Sequence, residues 1–146
     1  MCKIPFIYCI ESDTNVVGEL SGIATEACCS KILIVDDMSF NVTVLERMLL
    51  KLGLSCSKAM NGLEALNLIK ESQKRKCCGP IELVLMDCNM PVMDGYEATE
   101  EIIRLMSVKE IKKVSVVGVT AYTSSEHLDH CIKSGMELAS KCVNSM

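Results

Sequence analysis

The chain has 146 residues, 49% of them hydrophobic and 23% charged, with a formal net charge of −4. That length suits one ordinary domain with a single core, and the balance of apolar and charged residues is that of a globular chain, not a disordered one. The mild acidity gives no electrostatic reason to expect nucleic acid, and the one basic cluster, Lys74-Arg75-Lys76, reads as a solvated helix end.

Residues 1–29 have no clear period. Ile4, Phe6, Tyr8 and Ile10 would share one face of a strand, but Ile7 and Cys9 are apolar too. An added edge strand, a short helix and the remnant of a linker all fit. A secretion signal does not, because Pro5 interrupts the apolar run and Glu11 follows without a small-residue cleavage site. No apolar stretch approaches a membrane span. The ten cysteines occur as adjacent pairs (Cys28-Cys29, Cys77-Cys78) and singles, with no C-x-x-C. They read as reduced thiols in a cytoplasmic protein, not as a disulfide framework or a zinc site.

From residue 31 the pattern becomes regular. "KILIVDD" (31–37) is a β-branched apolar run ending in two acids. Val42, Leu45, Leu49 and Leu52 then recur at helical spacing up to Gly53. "LSCSKA" (54–59) is a short strand. Asn61-Gly62 opens a second helix with Ala65, Leu66 and Ile69 inward, running to Gly79-Pro80. "IELVLM" (81–86) is a third strand, and a third helix after Gly95 places Ala98, Ile102, Leu105 and Met106 on one face. "VSVVGVT" (114–120) is a fourth strand. "SSEHLDHCIKSG" (124–135) is a fourth helix, capped by Ser124 or Ser125 and stopped by Gly135. "ELAS" supplies a fifth strand before Lys141. Alternating strands and helices, with strands apolar throughout, call for a parallel sheet covered on both faces.

In such open sheets ligands bind beyond the carboxyl ends of the strands. Asp36 and Asp37 end the first strand, Asp87 the third, Thr120 the fourth and Lys141 the fifth. Three clustered carboxylates repel unless a cation neutralises them, and an oxygen-only ligand set suits Mg²⁺. A carboxylate so neutralised can attack a phosphoryl group, with Thr120 and Lys141 holding the phosphoryl oxygens.

The motifs "ILIVDD", "NGLEAL", "LVLMDCNMPVMDGYEA", "GVTAYT" and "GMELASK" resemble the receiver domain of two-component signalling, most of all those of hybrid sensor histidine kinases. The resemblance covers residues 31 to 141. It implies a flavodoxin-like, doubly wound α/β fold with five parallel strands. It also implies that Asp87 is the phosphoacceptor, and that Asp37 binds Mg²⁺ directly and Asp36 through water. The backbone carbonyl of Asn89 completes the protein's share of that metal site. Thr120 matches the hydroxyl that reports phosphorylation and Lys141 the ammonium that pairs with the phosphoryl group. Ala121 leaves room for the phosphate, and Asn89 and Tyr122 match positions that tune its hydrolysis.

Departures from the family pattern fall near the C-terminus. Cys142 follows Lys141 where the family has proline, Gly135 to Lys141 is one residue short, and Leu138-Ala139 replaces the aromatic switch residue. The fifth helix is expected to be missing or truncated. The domain reading is therefore an N-terminal extension or linker remnant over 1–29 and a C-terminally truncated receiver over 30–146. The functional expectation is a phosphoacceptor in a histidine-to-aspartate phosphorelay, not a turnover enzyme. Its partner would be a sensor histidine kinase or a histidine phosphotransfer protein, with no membrane contact by this chain. The alternative is a degenerate receiver that binds a partner without phosphorylation. An aspartate-nucleophile phosphatase ranks last, because Asn89 stands where it would need a general acid. His127 and His130 read as exposed helix residues.

Overall fold

A computed structural model of the protein describes residues 30–119 and 124–138. Within these, strands β1 (Ile32–Val35), β2 (Cys56–Ala59), β3 (Leu83–Met86), β4 (Ser115–Gly118) and β5 (Glu137–Leu138) alternate with four helices. The helices are α1 (Ser39–Lys51), α2 (Gly62–Ser72), α3 (Gly95–Ser107) and α4 (Ser125–Ser134). The strands form one sheet in the order β2-β1-β3-β4-β5, and every pairing is parallel. The flavodoxin-like fold expected from the sequence is the one observed. Its expected C-terminal truncation falls on residues outside those described.

The side-chain alternation of the strands sorts the core into two layers. Leu33, Val35, Val84, Met86 and Val116 face one side. There they meet Ala65, Leu66 and Ile69 of α2, Ala98, Ile102 and Leu105 of α3, and Cys131 of α4. Ile32 and Ile34 face the other side with Val42 of α1, and the half-buried Leu45, Leu49, Leu83 and Leu85 pack against them. Each fully buried aliphatic chain contributes on the order of 1.5–3 kcal/mol relative to exposure, so the larger layer under α2, α3 and α4 dominates.

Helix ends are set by local chemistry. The Asn61 side chain accepts from the backbone N–H of Glu64 at the start of α2, and Asp94 does the same for Glu97 at the start of α3. Gly135 ends α4 at φ +92, and a Cβ there would collide with Ile103 of α3. The left-handed backbone is what favours glycine there, while the Ile103 terminal methyl is free to shift.

Two expectations need correction. The second helix stops at Ser72, well before Gly79-Pro80. The buried Ser72 hydroxyl donates to the Ile69 carbonyl and accepts from the backbone N–H of Ile81, tying the helix end to the approach of β3. Arg75 then reaches back to the Ser30 carbonyl at 3.0 Å, which fixes a turn instead of another helical repeat. Leu52 is the second correction: it lies past the last residue of α1 and is 73% exposed, so the apolar stripe ends at Leu49.

Candidate functional site

β1 has β2 on one side and β3 on the other, so the chain reverses direction across the sheet between β1 and β3. Crevices form at such switch points. The register aligns Val35 with Met86, so the residues that follow, Asp36 and Asp87, leave the sheet side by side. The Asp87 N–H donates to the Val35 carbonyl at 2.8 Å and holds that alignment.

Asp36, Asp37 and Asp87 each offer a ligand oxygen, and these oxygens all lie within 4.8 Å of one another. Their surroundings differ. Asp36 is 5% exposed, and its carboxylate accepts from the Met38 N–H at 2.8 Å and from the Asn41 amide at 3.0 Å. Asp37 is exposed and Asp87 half-buried. The Asp87 carboxyl is pushed above the ordinary carboxylate range, first by desolvation and then by the negative charge of Asp36. Backbone N–H groups of Cys88 and Asn89 oppose that shift, and Asp37 adds to it. Two acids repelling a third in an all-oxygen donor set is the environment a hard divalent cation relieves, so these residues fit Mg²⁺.

The loop after β3 is held tightly against the sheet. A Cβ on Gly95 would run into the Asp87 carbonyl, and the Gly95 N–H donates to the Cys88 carbonyl at 3.0 Å. Glycine at 95 therefore lets α3 start directly under the loop. Cys88 points into the core, its sulfur 3.6 Å from that of Cys131, and burial pushes its thiol up to about 12. A thiol so disfavoured as thiolate is packing, not chemistry.

The acids lie in an open groove that also takes in Asn89 and Val119, with Met38, Phe40 and Val44 of the α1 side along its rim. The described residues thus bring together four of the six site residues expected from sequence: Asp36, Asp37, Asp87 and Asn89. Thr120 and Lys141, with Ala121 and Tyr122, lie outside the described residues. Two groove residues escaped the sequence reading. Asn41 gave only a weak signal, one polar side chain among several in an amphipathic helix. His127, taken as an exposed helix residue, is half-buried, and its Nδ1 lies 3.1 Å from the Tyr96 hydroxyl. His130 is exposed, as expected, but stacks on the Tyr96 ring with centroids 3.9 Å apart.

A family model for the response regulator receiver domain matches residues 32–144. The chain belongs to that family. The sensor histidine kinase RcsC of Escherichia coli (strain K12) is 38% identical to this receiver over 135 residues, covering 90% of the chain and 13% of that kinase. Hybrid signal transduction histidine kinase A of Dictyostelium discoideum is 36% identical over 107 residues, 73% of the chain and 5% of that protein. The receiver therefore spans a small part of the curated relatives it matches.

Among solved structures, the receiver domain of the histidine kinase CKI1 from Arabidopsis thaliana, complexed with Mg²⁺ and BeF₃⁻, is 31% identical. It superimposes with a TM-score of 0.67 over 79% of this chain and 83% of that one. The receiver of Ssk1 from Saccharomyces cerevisiae, co-crystallised with the histidine phosphotransfer protein Ypd1, is represented in a match at 30% identity and a TM-score of 0.65, covering 74% of each chain. Receivers of this family are phosphoacceptor domains of two-component phosphorelays, not turnover enzymes. No described helix is long and apolar enough to cross a membrane.

Proposed function

We propose that this receiver accepts a phosphoryl group on Asp87 in a histidine-to-aspartate phosphorelay, with Mg²⁺ held by Asp36, Asp37, Asp87 and the backbone carbonyl of Asn89. The observation that carries the reading is the convergence of three carboxylates within 4.8 Å at the β1–β3 switch point. A bound divalent cation would offset their mutual repulsion and draw charge from the phosphoryl oxygens. The Asp87 carboxylate is the nucleophile. One of its oxygens bonds to phosphorus as the bond from phosphorus to the donor nitrogen breaks, leaving an acyl phosphate on Asp87 and a neutral histidine on the donor. The Cys88 and Asn89 N–H groups hold the carboxylate in place through that exchange. Thr120 and Lys141 are the residues proposed to receive the phosphoryl oxygens.

The donor is a sensor histidine kinase or a histidine phosphotransfer protein. The rim of the groove favours such a partner: Met38 is 57% exposed and Phe40 72% exposed beside the acids. An apolar collar around a charged centre suits a protein donor that must exclude water while it brings a phosphohistidine to Asp87. The intact acid cluster weighs against a degenerate receiver, which has no use for a repulsive site.

Incubation with acetyl phosphate and Mg²⁺ should add one phosphoryl group to the intact mass. Withholding Mg²⁺, or replacing the acceptor by Asp87→Asn, should abolish the gain. A folded wild-type protein that gains nothing would leave the constitutive interaction module as the better reading.

A further inference from the structure

Both carboxylate oxygens of Asp36 are committed within the protein. Oδ1 accepts from the Met38 backbone N–H at 2.8 Å and Oδ2 from the Asn41 side-chain amide at 3.0 Å. Asp36 is 5% exposed, Asn41 half-buried, and both line the groove. The Met38 contact comes from backbone two residues away and follows from the start of α1. The Asn41 contact does not: it spans five residues and exists only because an amide stands on the inner side of the first helical turn.

We infer that Asn41 is a positioning residue of the cation site, a clamp that fixes the rotamer of Asp36 so that its carboxylate is already aimed at the other two acids before a cation arrives. The inference rests on the proposed phosphoacceptor reading. Its physical basis is charge repulsion. Ligand oxygens of Asp36, Asp37 and Asp87 lie within 4.8 Å of one another, so the carboxylates repel, and an unrestrained Asp36 would turn away toward water. An amide N–H on Oδ2 opposes that rotation and stabilises the charged form. Because the partner is a neutral amide, the clamp adds no competing positive charge to the centre. A lysine or arginine in its place would orient Asp36 equally well while repelling the cation.

Outer partners that orient a metal-binding carboxylate are typically worth about 10- to 100-fold in metal affinity. Asn41→Ala is therefore expected to weaken Mg²⁺ binding by at least about tenfold. Asn41→Leu, which fills the same space without a donor, should do the same. Asn41→Gln, which keeps an amide on a longer arm, should recover part of the loss. The readout is a Mg²⁺ titration of the full chain without phosphodonor, following the backbone amide signals of Asp87, Cys88 and Asn89 by NMR. Thermal unfolding in chelator identifies the variants that remain folded.

A role confined to helix packing would move the unfolding temperature and leave the Mg²⁺ midpoint alone. Wild-type binding with a shift below tenfold in the folded donor-less variants overturns the inference and leaves the phosphoacceptor reading standing. A wild-type protein that binds no Mg²⁺ overturns both.

Discussion

Asp87 is half-buried between two other acids, and its carboxyl is held above the ordinary range by desolvation first and by Asp36 next. A carboxyl raised on folding binds its proton more tightly in the native state than in the unfolded chain. The stability it lends is present in full below the unfolded value and lost as pH rises through the native one. At neutral pH, without a cation, ionised Asp87 therefore works against the fold. Asp87→Asn should raise the unfolding temperature of the chelator-treated protein at pH 7, and the gain should shrink as pH falls through the carboxylate range. Thermal unfolding followed by circular dichroism across that pH series checks both. Added Mg²⁺ should stabilise the wild type more than the variant, because the cation relieves a repulsion that the variant no longer has.

The segment between β3 and α3 carries a second source of strain. Val92 adopts φ +72, a left-handed conformation that a β-branched residue tolerates poorly, and it is 78% exposed with no packing to compensate. Asn tolerates that conformation, so Val92→Asn should stabilise the protein by about 1 kcal/mol. A higher urea midpoint with an unchanged slope would report it. The elements on either side were legible in sequence for clear reasons. Val84 and Met86 belong to a continuous apolar run, Ala98, Ile102 and Leu105 recur at helical spacing, and Gly135 punctuates a helix end. What escaped was tertiary. "KESQKRK" continues a helix as well as any polar stretch, and only the link from buried Ser72 to Ile81 shows why α2 ends there. The left-handed turn at Val92 has no residue signal, since the loop's glycine sits three positions later.

At the scale of the molecule, the site follows from topology more than from any one loop. A central β1 flanked by β2 and β3 sets the ends of two buried strands side by side, and the parallel register leaves Asp36 and Asp87 nowhere to go but toward each other. The three acids were readable because each closes an apolar run. Asn41 and His127 were not, because their roles depend on which way a helix is rotated against the sheet. α3 and α4 are joined through Tyr96, which meets both His127 and His130, and His127 lines the groove with the acids, so a gain in mass alone does not tell an aspartyl phosphate from a phosphohistidine. Borohydride trapping separates them, since it reduces an aspartyl phosphate to homoserine and leaves phosphohistidine without that mark. After treatment with acetyl phosphate and Mg²⁺, peptide mapping should find homoserine at position 87 and nowhere else. Homoserine at another acid, or a phosphoryl gain with position 87 unchanged, would contradict the assignment of Asp87 as the acceptor.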